Sequence, residues 1–205
     1  MRKAGLAFAA ILGLTFLAQA QDDGRFDFAV NYSGVFSKTV TSSNRVVSDK
    51  PTTSGGLLIS FRYHGNRMHG LELNVGHTSN AQIFTISPDT YRVQASIIEY
   101  SGAYVFSPFA SDRVRPFLLA GAGGLRFDPG NTYIDGTSAS FGAAKQTSLA
   151  FLYGAGLDYH LWRALGLRLQ YRGLIYKNQD FKVSRLFTSA KGHMAEPSAG
   201  IVFRF

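Results

Sequence analysis

The chain has 205 residues, of which 45% are hydrophobic and only 17% are charged, and its formal net charge is +8. This hydrophobic content excludes a disordered chain, and the absence of cysteine from the sequence excludes disulfides and thiolate metal sites. The 22 glycines and the 14% aromatic content favour short strands and tight turns over helices.

The first twenty residues have the three parts of a secretory signal peptide. Arg2 and Lys3 precede an apolar run over residues 4–17, and the small-residue triplet "AQA" follows it. We therefore predict a signal peptide at 1–20 and an exported domain at 21–205, with a charge of +6 from 19 basic and 13 acidic residues. Export and the scattered positions of the basic residues argue against a nucleic-acid partner.

Eight segments of alternating polarity follow the predicted signal peptide. In the third, for example, Leu71, Leu73 and Val75 alternate with Glu72 and Asn74. Successive side chains of a strand point to opposite faces, so each segment predicts a strand with one apolar face. The eight segments lie at residues 26–36, 57–63, 71–75, 98–106, 117–127, 149–159, 165–175 and 196–205.

The connections between these segments alternate in length. Long polar stretches lie near residues 37–54, 79–91, 128–146 and 177–193, and short turns lie near 64–67, 107–113 and 161–164. Four long loops at one end and three short turns at the other are typical of bacterial outer-membrane barrels. We predict an all-β fold: an eight-stranded antiparallel up-and-down transmembrane β-barrel with four long surface loops and three short periplasmic turns.

The alternate residues that form the apolar face of each predicted strand, called here the apolar parity, include aromatic rings near the strand ends. The interfacial girdles of membrane barrels have the same aromatic residues. A soluble barrel of the lipocalin kind is the competing fold, and it would place its large apolar side chains inside. We therefore predict that the apolar set faces outward. The predicted girdle residues are Phe26, Tyr63, Tyr104, Phe106, Phe127, Tyr159, Tyr176 and Phe205.

The opposite parity places charged residues in the lumen, with five of each sign. We expect Glu72 and Glu99 to meet Arg168 and Arg172 across it, because an unpaired buried charge costs several kcal/mol. Side chains fill the lumen of so small a barrel, so we expect it to be closed. The alternative is a gated ion path in which these arginines exchange partners. The predicted inward charges are Asp27, Glu72, Glu99, Asp158 and Glu196, with Arg62, Arg126, Arg168, Arg172 and Arg204.

The chain finishes on "GIVFRF", in which Ile201, Phe203 and Phe205 share one face of a strand. This ending resembles the C-terminal signature of bacterial outer-membrane barrels. The segments "RPFLLAGAGGLRFDPG", "FLYGAGLDYHL", "LGLRLQYRGLIYK" and "AEPSAGIVFRF" are similar to recurrent segments of small barrels related to the membrane domain of outer membrane protein A. The resemblance implies a bacterial outer-membrane location and recognition by the barrel assembly machinery and periplasmic chaperones. We expect a monomer.

One segment, "GHTSNA" at residues 76–81, resembles the motif of the outer-membrane lipid A deacylases. The resemblance would imply His77 as general base, Ser79 as nucleophile and Asn80 as oxyanion donor. That family's motif lies late in the chain with an acidic residue shortly downstream, whereas here it lies early and the nearest acid is Asp89. We therefore expect no catalytic role.

We expect a structural or surface-interaction protein of the outer membrane, without a cofactor or a metal. Its expected partners are outer-membrane lipid and lipopolysaccharide. The basic residues of the last long loop, Lys177, Lys182, Arg185, Lys191 and His193, could contact lipopolysaccharide phosphates or simply be solvated. A narrow channel for ions or small solutes and a lipid A modifying hydrolase are the alternative functions.

Overall fold

The computed structural model describes residues 24–42, 46–109, 111 and 113–205, so the predicted signal peptide lies outside the described residues. No helix in these ranges is long and apolar enough to span a membrane. One 3-10 turn is present at Ser184–Leu186. The described strands are Phe26–Ser37 (β1), Val40–Thr41 (β2), Ser48–Pro51 (β3), Ser54–His64 (β4), His69–Ile86 (β5), Asp89–Phe106 (β6), Val114–Ile134 (β7), Thr137–Ser138 (β8), Gln146–His160 (β9), Leu165–Lys177 (β10) and Lys191–Arg204 (β11).

Eight of these strands form a closed antiparallel barrel. They pair around the ring in the order β1, β4, β5, β6, β7, β9, β10 and β11, and β11 pairs back with β1. At this seam Asp27 lies opposite Arg204, and Phe28 lies opposite Phe203. The predicted eight-stranded up-and-down barrel is confirmed.

The first and last barrel strands meet at the short-turn end. The backbone N–H of Phe26 donates to the carbonyl of Phe205, and the N–H of Phe205 donates to the carbonyl of Phe26, both at 2.9 Å. In the turn after β4, Asn66 Oδ1 accepts from the backbone N–H groups of Met68 (2.9 Å) and His69 (2.8 Å). This turn uses the Asn side chain in the way expected for a tight connection.

The long-loop end contains more strand than the sequence predicted. Strands β5 and β6 stay paired to Ile86 and Asp89, so the predicted long loop near residues 79–91 is wrong, and a tight turn at residues 87–88 connects the two strands. Strand β7 runs to Ile134, through the first part of the predicted loop at 128–146. The short strand β3 adds to the outer part of β5, with Asp49 opposite Phe84.

Strands β6 and β7 approach each other closely through glycines of β7. A Cβ atom added to Gly121 would overlap the backbone carbonyl of Gly102, and one added to Gly123 would overlap that of Tyr100. The glycine run of β7 therefore has a steric role in the barrel wall.

Candidate functional site in the barrel interior

Side-chain orientation follows the predicted parity along most of the barrel. Leu73 and Leu169 are 64% and 58% exposed on the outer wall, whereas Glu72 and Arg168 are buried inside. The apolar exterior and polar interior of a membrane barrel are therefore both present.

Strand β7 is the exception, and its predicted parity is wrong. Phe117, Leu119, Leu125 and Phe127 are buried inside the barrel, whereas Arg126 is exposed on the outer wall. The cause lies in the sequence, because both parities of "PFLLAGAGGLRF" carry apolar or small residues and alternation alone does not fix which parity faces the core.

Two residues predicted for the aromatic girdle lie in the interior instead. Tyr176 shares the inward parity of Arg172 and is buried, and its ring centroid lies 5.9 Å from that of Phe127. Both rings therefore help to fill the barrel and do not face its surroundings.

Four charged side chains with 0% exposure form an ionic layer across the lumen, consisting of Arg62, Glu72, Asp158 and Arg168. Arg62 donates to Glu72 Oε2 at 2.6 and 2.8 Å and to Asp158 Oδ2 at 3.0 Å. Arg168 donates to both Asp158 oxygens, at 2.7 and 2.9 Å, and to Glu72 Oε2 at 3.2 Å. Each carboxylate is shared by two guanidinium groups, so no charge in this layer lacks a counterion.

Phe117 packs against this ionic layer. The guanidinium carbon of Arg62 lies 4.0 Å from the ring centroid of Phe117, and that of Arg168 lies 5.4 Å away. Aromatic rings attract guanidinium groups at these distances. The inward ring therefore fills space and stabilises both cations.

A second group of charges lies at the short-turn end, around the buried Asp27. Its carboxylate accepts from Arg204 Nε at 2.9 Å and lies 2.7 Å from His64 Nε2. Arg115 Nη1 lies 3.1 Å from His64 Nδ1. Arg115 shares the inward face of β7 with Phe117 and is an interior charge that was not predicted, because this face of β7 was assigned to the outer wall.

On the other side of the ionic layer, two carboxylates share Arg172. Its Nη2 atom contacts Glu99 Oε1 and lies 3.4 Å from Glu196 Oε2. Ser101 Oγ also donates to Glu99, at 2.6 Å. A cavity of about 10 Å³ borders both carboxylates, which is room for about one water molecule.

The sequence predicted that Glu72 and Glu99 meet Arg168 and Arg172 without assigning the pairs, and in the structure Glu72 contacts Arg168 and Glu99 contacts Arg172. Arg62, Asp158 and Glu196 are also buried in the interior, and the partly exposed Arg204 points to Asp27 there. The ionic layer, the Asp27 group and the Arg172 group together form what we call the interior ion network.

An apolar cap closes the barrel above this network, at the long-loop end. We define the cap by Phe84, Phe127, Phe181 and Leu186, all fully buried. The ring of Phe181 packs edge-on against Phe84 and Phe127, with centroids 6.3 and 6.4 Å apart. The cap was not predicted from the sequence, because Phe84, Phe181 and Leu186 fall in stretches predicted as polar loops.

Asp49 connects β3 to the last long loop near this cap. Its carboxylate is completely buried and accepts from Asn178 Nδ2 at 2.9 Å. The same Asn178 nitrogen donates to Thr188 Oγ1 at 3.2 Å. Burial raises the pKa of Asp49 to about 7 against the weaker opposing effect of the Asn178 hydrogen bond.

The three hydrolase candidates do not form one site. His77 and Ser79 are exposed on the outer wall, whereas Asn80 is buried on the interior face and its Oδ1 accepts from Gln82 Nε2 at 2.9 Å. An oxyanion donor on the opposite face of the strand from the nucleophile cannot reach the same substrate atom. Among the described residues, no three His, Asp or Glu side chains are placed to hold a metal ion.

The last strand and the last loop place their predicted residues on the outside. Ile201 and Phe203 are 46% and 40% exposed on the outer wall, and the Phe205 ring stacks on Phe26 with centroids 6.1 Å apart. Lys177 and Lys191 are exposed and lie opposite each other in β10 and β11. Lys182 and Arg185 are also exposed, and His193 Nε2 lies 2.7 Å from the Tyr153 hydroxyl.

Comparison with known proteins agrees with this architecture. Residues 6–196 match the family described as "Outer membrane protein beta-barrel domain". No curated protein matches the chain at a comparable level.

Three solved structures share the fold at low sequence identity. Neisserial surface protein A is 17% identical, with a TM-score of 0.56 over 89% of this chain and 98% of its own. OprG from Pseudomonas aeruginosa is 13% identical, with a TM-score of 0.60 over 91% and 98%. Ail, the attachment invasion locus protein of Yersinia pestis, is 15% identical, with a TM-score of 0.51 over 90% and 100%.

Proposed function

The chain belongs to the outer membrane protein beta-barrel domain family, and from this premise we propose that it is a closed outer-membrane barrel with a structural or surface-interaction role. The barrel wall anchors the protein in the membrane. The strands and loops at the long-loop end form the surface that meets other molecules outside the cell.

The filled interior is the observation that supports this proposal. The ionic layer crosses the lumen with Arg62, Glu72, Asp158 and Arg168 at 0% exposure, and the apolar cap lies above it. The cavity beside Glu99 and Glu196 holds only about 10 Å³, whereas a conducting path needs a continuous column of water. Two separate barriers, one ionic and one apolar, therefore oppose conduction.

The size of the long-loop end supports the surface role. Strands β5 and β6 have 18 residues each and β7 has 21, whereas a tilted membrane strand needs about 9–11. The extra length builds a rigid sheet outside the membrane, and rigid sheets present a fixed surface to a partner.

A planar-bilayer recording tests the closed lumen against the channel alternative. We expect no current above the lipid background from the purified barrel or from Glu72→Ala, because the cap remains when the ionic layer is weakened. A porin reconstituted in the same way is the positive control. Stepwise currents from the wild-type barrel would overturn the closed-lumen proposal.

The partners in this proposal follow from the location. The exported chain is recognised through Ile201, Phe203 and Phe205 by the barrel assembly machinery after its signal peptide is removed, with periplasmic chaperones carrying it, and it functions as a monomer. Its surroundings are outer-membrane lipid and lipopolysaccharide. For the hydrolase alternative, mass spectrometry of lipid A from cells with and without the protein is the decisive measurement, and we expect identical spectra.

A further inference from the structure

An open polar groove of about 620 Å³ runs along the outside of β5, β6 and β7, beyond the apolar belt. Its wall contains hydroxyl and amide side chains, one arginine and one aspartate. This face is unlike the apolar wall below it, and it includes Ser79 from the "GHTSNA" segment. The side chains used here are Thr52, Ser79, Arg92, Gln94, Ser96 and Asp128.

The groove begins where the apolar belt ends. On β5 the outward residues change from apolar at Val75 to polar at His77. On β7 they change from apolar at Ala122 to charged at Arg126, with Gly124 between them. His77 and Arg126 both pair with Ile98, so the change to polar outward residues occurs close together on β5 and β7. We place the edge of the membrane, where the headgroups of outer-leaflet lipids lie, at this change.

One arginine lines the groove and a second lies beside it. Arg92 is part of the groove wall, and Arg126 lies two residues before the groove residue Asp128 on β7. Arg126 lies at the membrane edge, opposite Ile98, and Arg92 lies six residues farther along β6, roughly 20 Å away along the strand. Both are exposed, and neither has an ion pair within the part of the chain that the structure describes. The aspartate between them, Asp128, is already paired with Lys145 at 2.6 Å. Two guanidinium groups therefore remain available to anions.

A β-bulge forms the space between the arginines. The pairing of β6 and β7 shifts between Val93 and Ala95, which leaves Gln94 outside the regular ladder. Gly130 and Asn131 lie opposite the shift, between the pairs Val93–Thr132 and Ala95–Pro129, and both line the groove. Bulges redirect side chains and break regular pairing, and here the break opens a concave surface rich in hydrogen-bonding groups.

We propose that this groove binds the phosphorylated sugar headgroup of an outer-leaflet glycolipid. Hydroxyl and amide side chains suit sugar hydroxyls, and guanidinium groups suit phosphates because they donate two parallel hydrogen bonds. A lipid-borne ligand is favoured over a soluble saccharide because Arg126 lies directly at the membrane edge. The inference rests on the proposed surface role and gives that role a site and a class of ligand.

Native mass spectrometry of the detergent-solubilised full chain with lipid A tests this inference. Lipid A carries phosphates on a sugar backbone, dephosphorylated lipid A keeps only the sugars, and phosphatidylglycerol keeps only a phosphate. We expect the double variant Arg92→Gln/Arg126→Gln to bind lipid A at least about tenfold more weakly, because two charge-assisted contacts are lost. We expect Ser96→Leu, which fills the groove without changing the charge, to weaken lipid A binding while leaving phosphatidylglycerol binding unchanged.

The double variant Arg67→Gln/Arg163→Gln is the matched control, because it removes the same charge from two exposed turns at the opposite end of the barrel. We expect it to change lipid A affinity by less than about twofold, within the small effect of exposed charges. Equal losses in the two double variants, or equal wild-type affinities for lipid A and phosphatidylglycerol, would overturn the inference. Such a result would leave the closed lumen untouched, because conductance measures it separately.

Discussion

Burial decides what an arginine does in this protein. Arg62 has 0% side-chain exposure and three close contacts, namely two carboxylates and the ring of Phe117. Arg126 is exposed on the outer wall of the same barrel and has no ion pair in the described ranges. The same side chain is a structural element in one place and a candidate ligand contact in the other.

Arg62→Gln is predicted to destabilise the folded barrel strongly. It leaves Glu72 and Asp158 with one guanidinium between them, and breaking a buried ion pair costs about 3–5 kcal/mol. Guanidinium unfolding in detergent, followed by the circular dichroism of the sheet, measures the loss.

Arg126→Gln is the matched control for this measurement, with the same substitution on an exposed strand position. We expect it to change the free energy of unfolding by less than about 0.5 kcal/mol. If the two variants unfolded at the same denaturant concentration, the ionic layer would not contribute to stability as described.

At the residue scale, the sequence predicted most interior charges because the strands that carry them alternate strictly. Glu72 lies between Leu71 and Leu73, so its direction follows from the pleat. The prediction failed on β7, where Leu118 and Leu119 are adjacent and only the packing inside the barrel decides which one turns inward. Long-range packing of this kind is not encoded in local periodicity.

At the scale of elements, the strand count and the short turns could be predicted, whereas the outer ends of the strands could not. Beyond the apolar belt the outward residues of β5 and β6 become polar, as Ser79 and Ser96 show, so the sequence there reads as a loop. The inward residues Phe84, which belongs to the cap, and Val93 remain apolar and fully buried, and the two strands stay paired there. The outward face of each strand passes from the membrane to water. Its residue pattern therefore changes although the strand continues.

The docking of β3 is predicted to depend on pH through Asp49. Its pKa is raised from an ordinary value of 3.8 to about 7, so the folded state holds a proton that the unfolded state releases. The docked form is therefore favoured below about pH 4, and this preference is lost as the pH rises to about 7, by about 4 kcal/mol at most. Amide hydrogen exchange of residues 48–51, corrected for intrinsic rates, is expected to be less protected at pH 8 than at pH 5.

Asp49→Asn is the control for this pH dependence, because the amide keeps the shape of the side chain and cannot ionise. We expect its corrected protection at residues 48–51 to be the same at both pH values. Equal pH dependence in the wild type and in Asp49→Asn would show that another group controls the docking of β3.

At the scale of the whole molecule, the narrow barrel explains why the interior is filled in two ways. An eight-stranded barrel has room inside for side chains and little else. Where strict alternation places charges inside, they form the ion pairs of the interior ion network. Where β7 and the long-loop end place aromatic rings inside, these rings pack together in the apolar cap. Both fillings leave an apolar outer wall, which the membrane requires.

Site-directed spin labelling tests this orientation and the closed lumen together. The sequence contains no cysteine, so single cysteines label cleanly, and β6 offers Tyr100 and Tyr104 outside with Ser101 and Ala103 inside. In lipid bilayers we predict that labels at Tyr100 and Tyr104 collide freely with oxygen and rarely with a water-soluble nickel chelate, whereas labels at Ser101 and Ala103 collide rarely with either. Frequent nickel collisions at Ser101 and Ala103, or oxygen collisions greater there than at Tyr100 and Tyr104, would contradict the account.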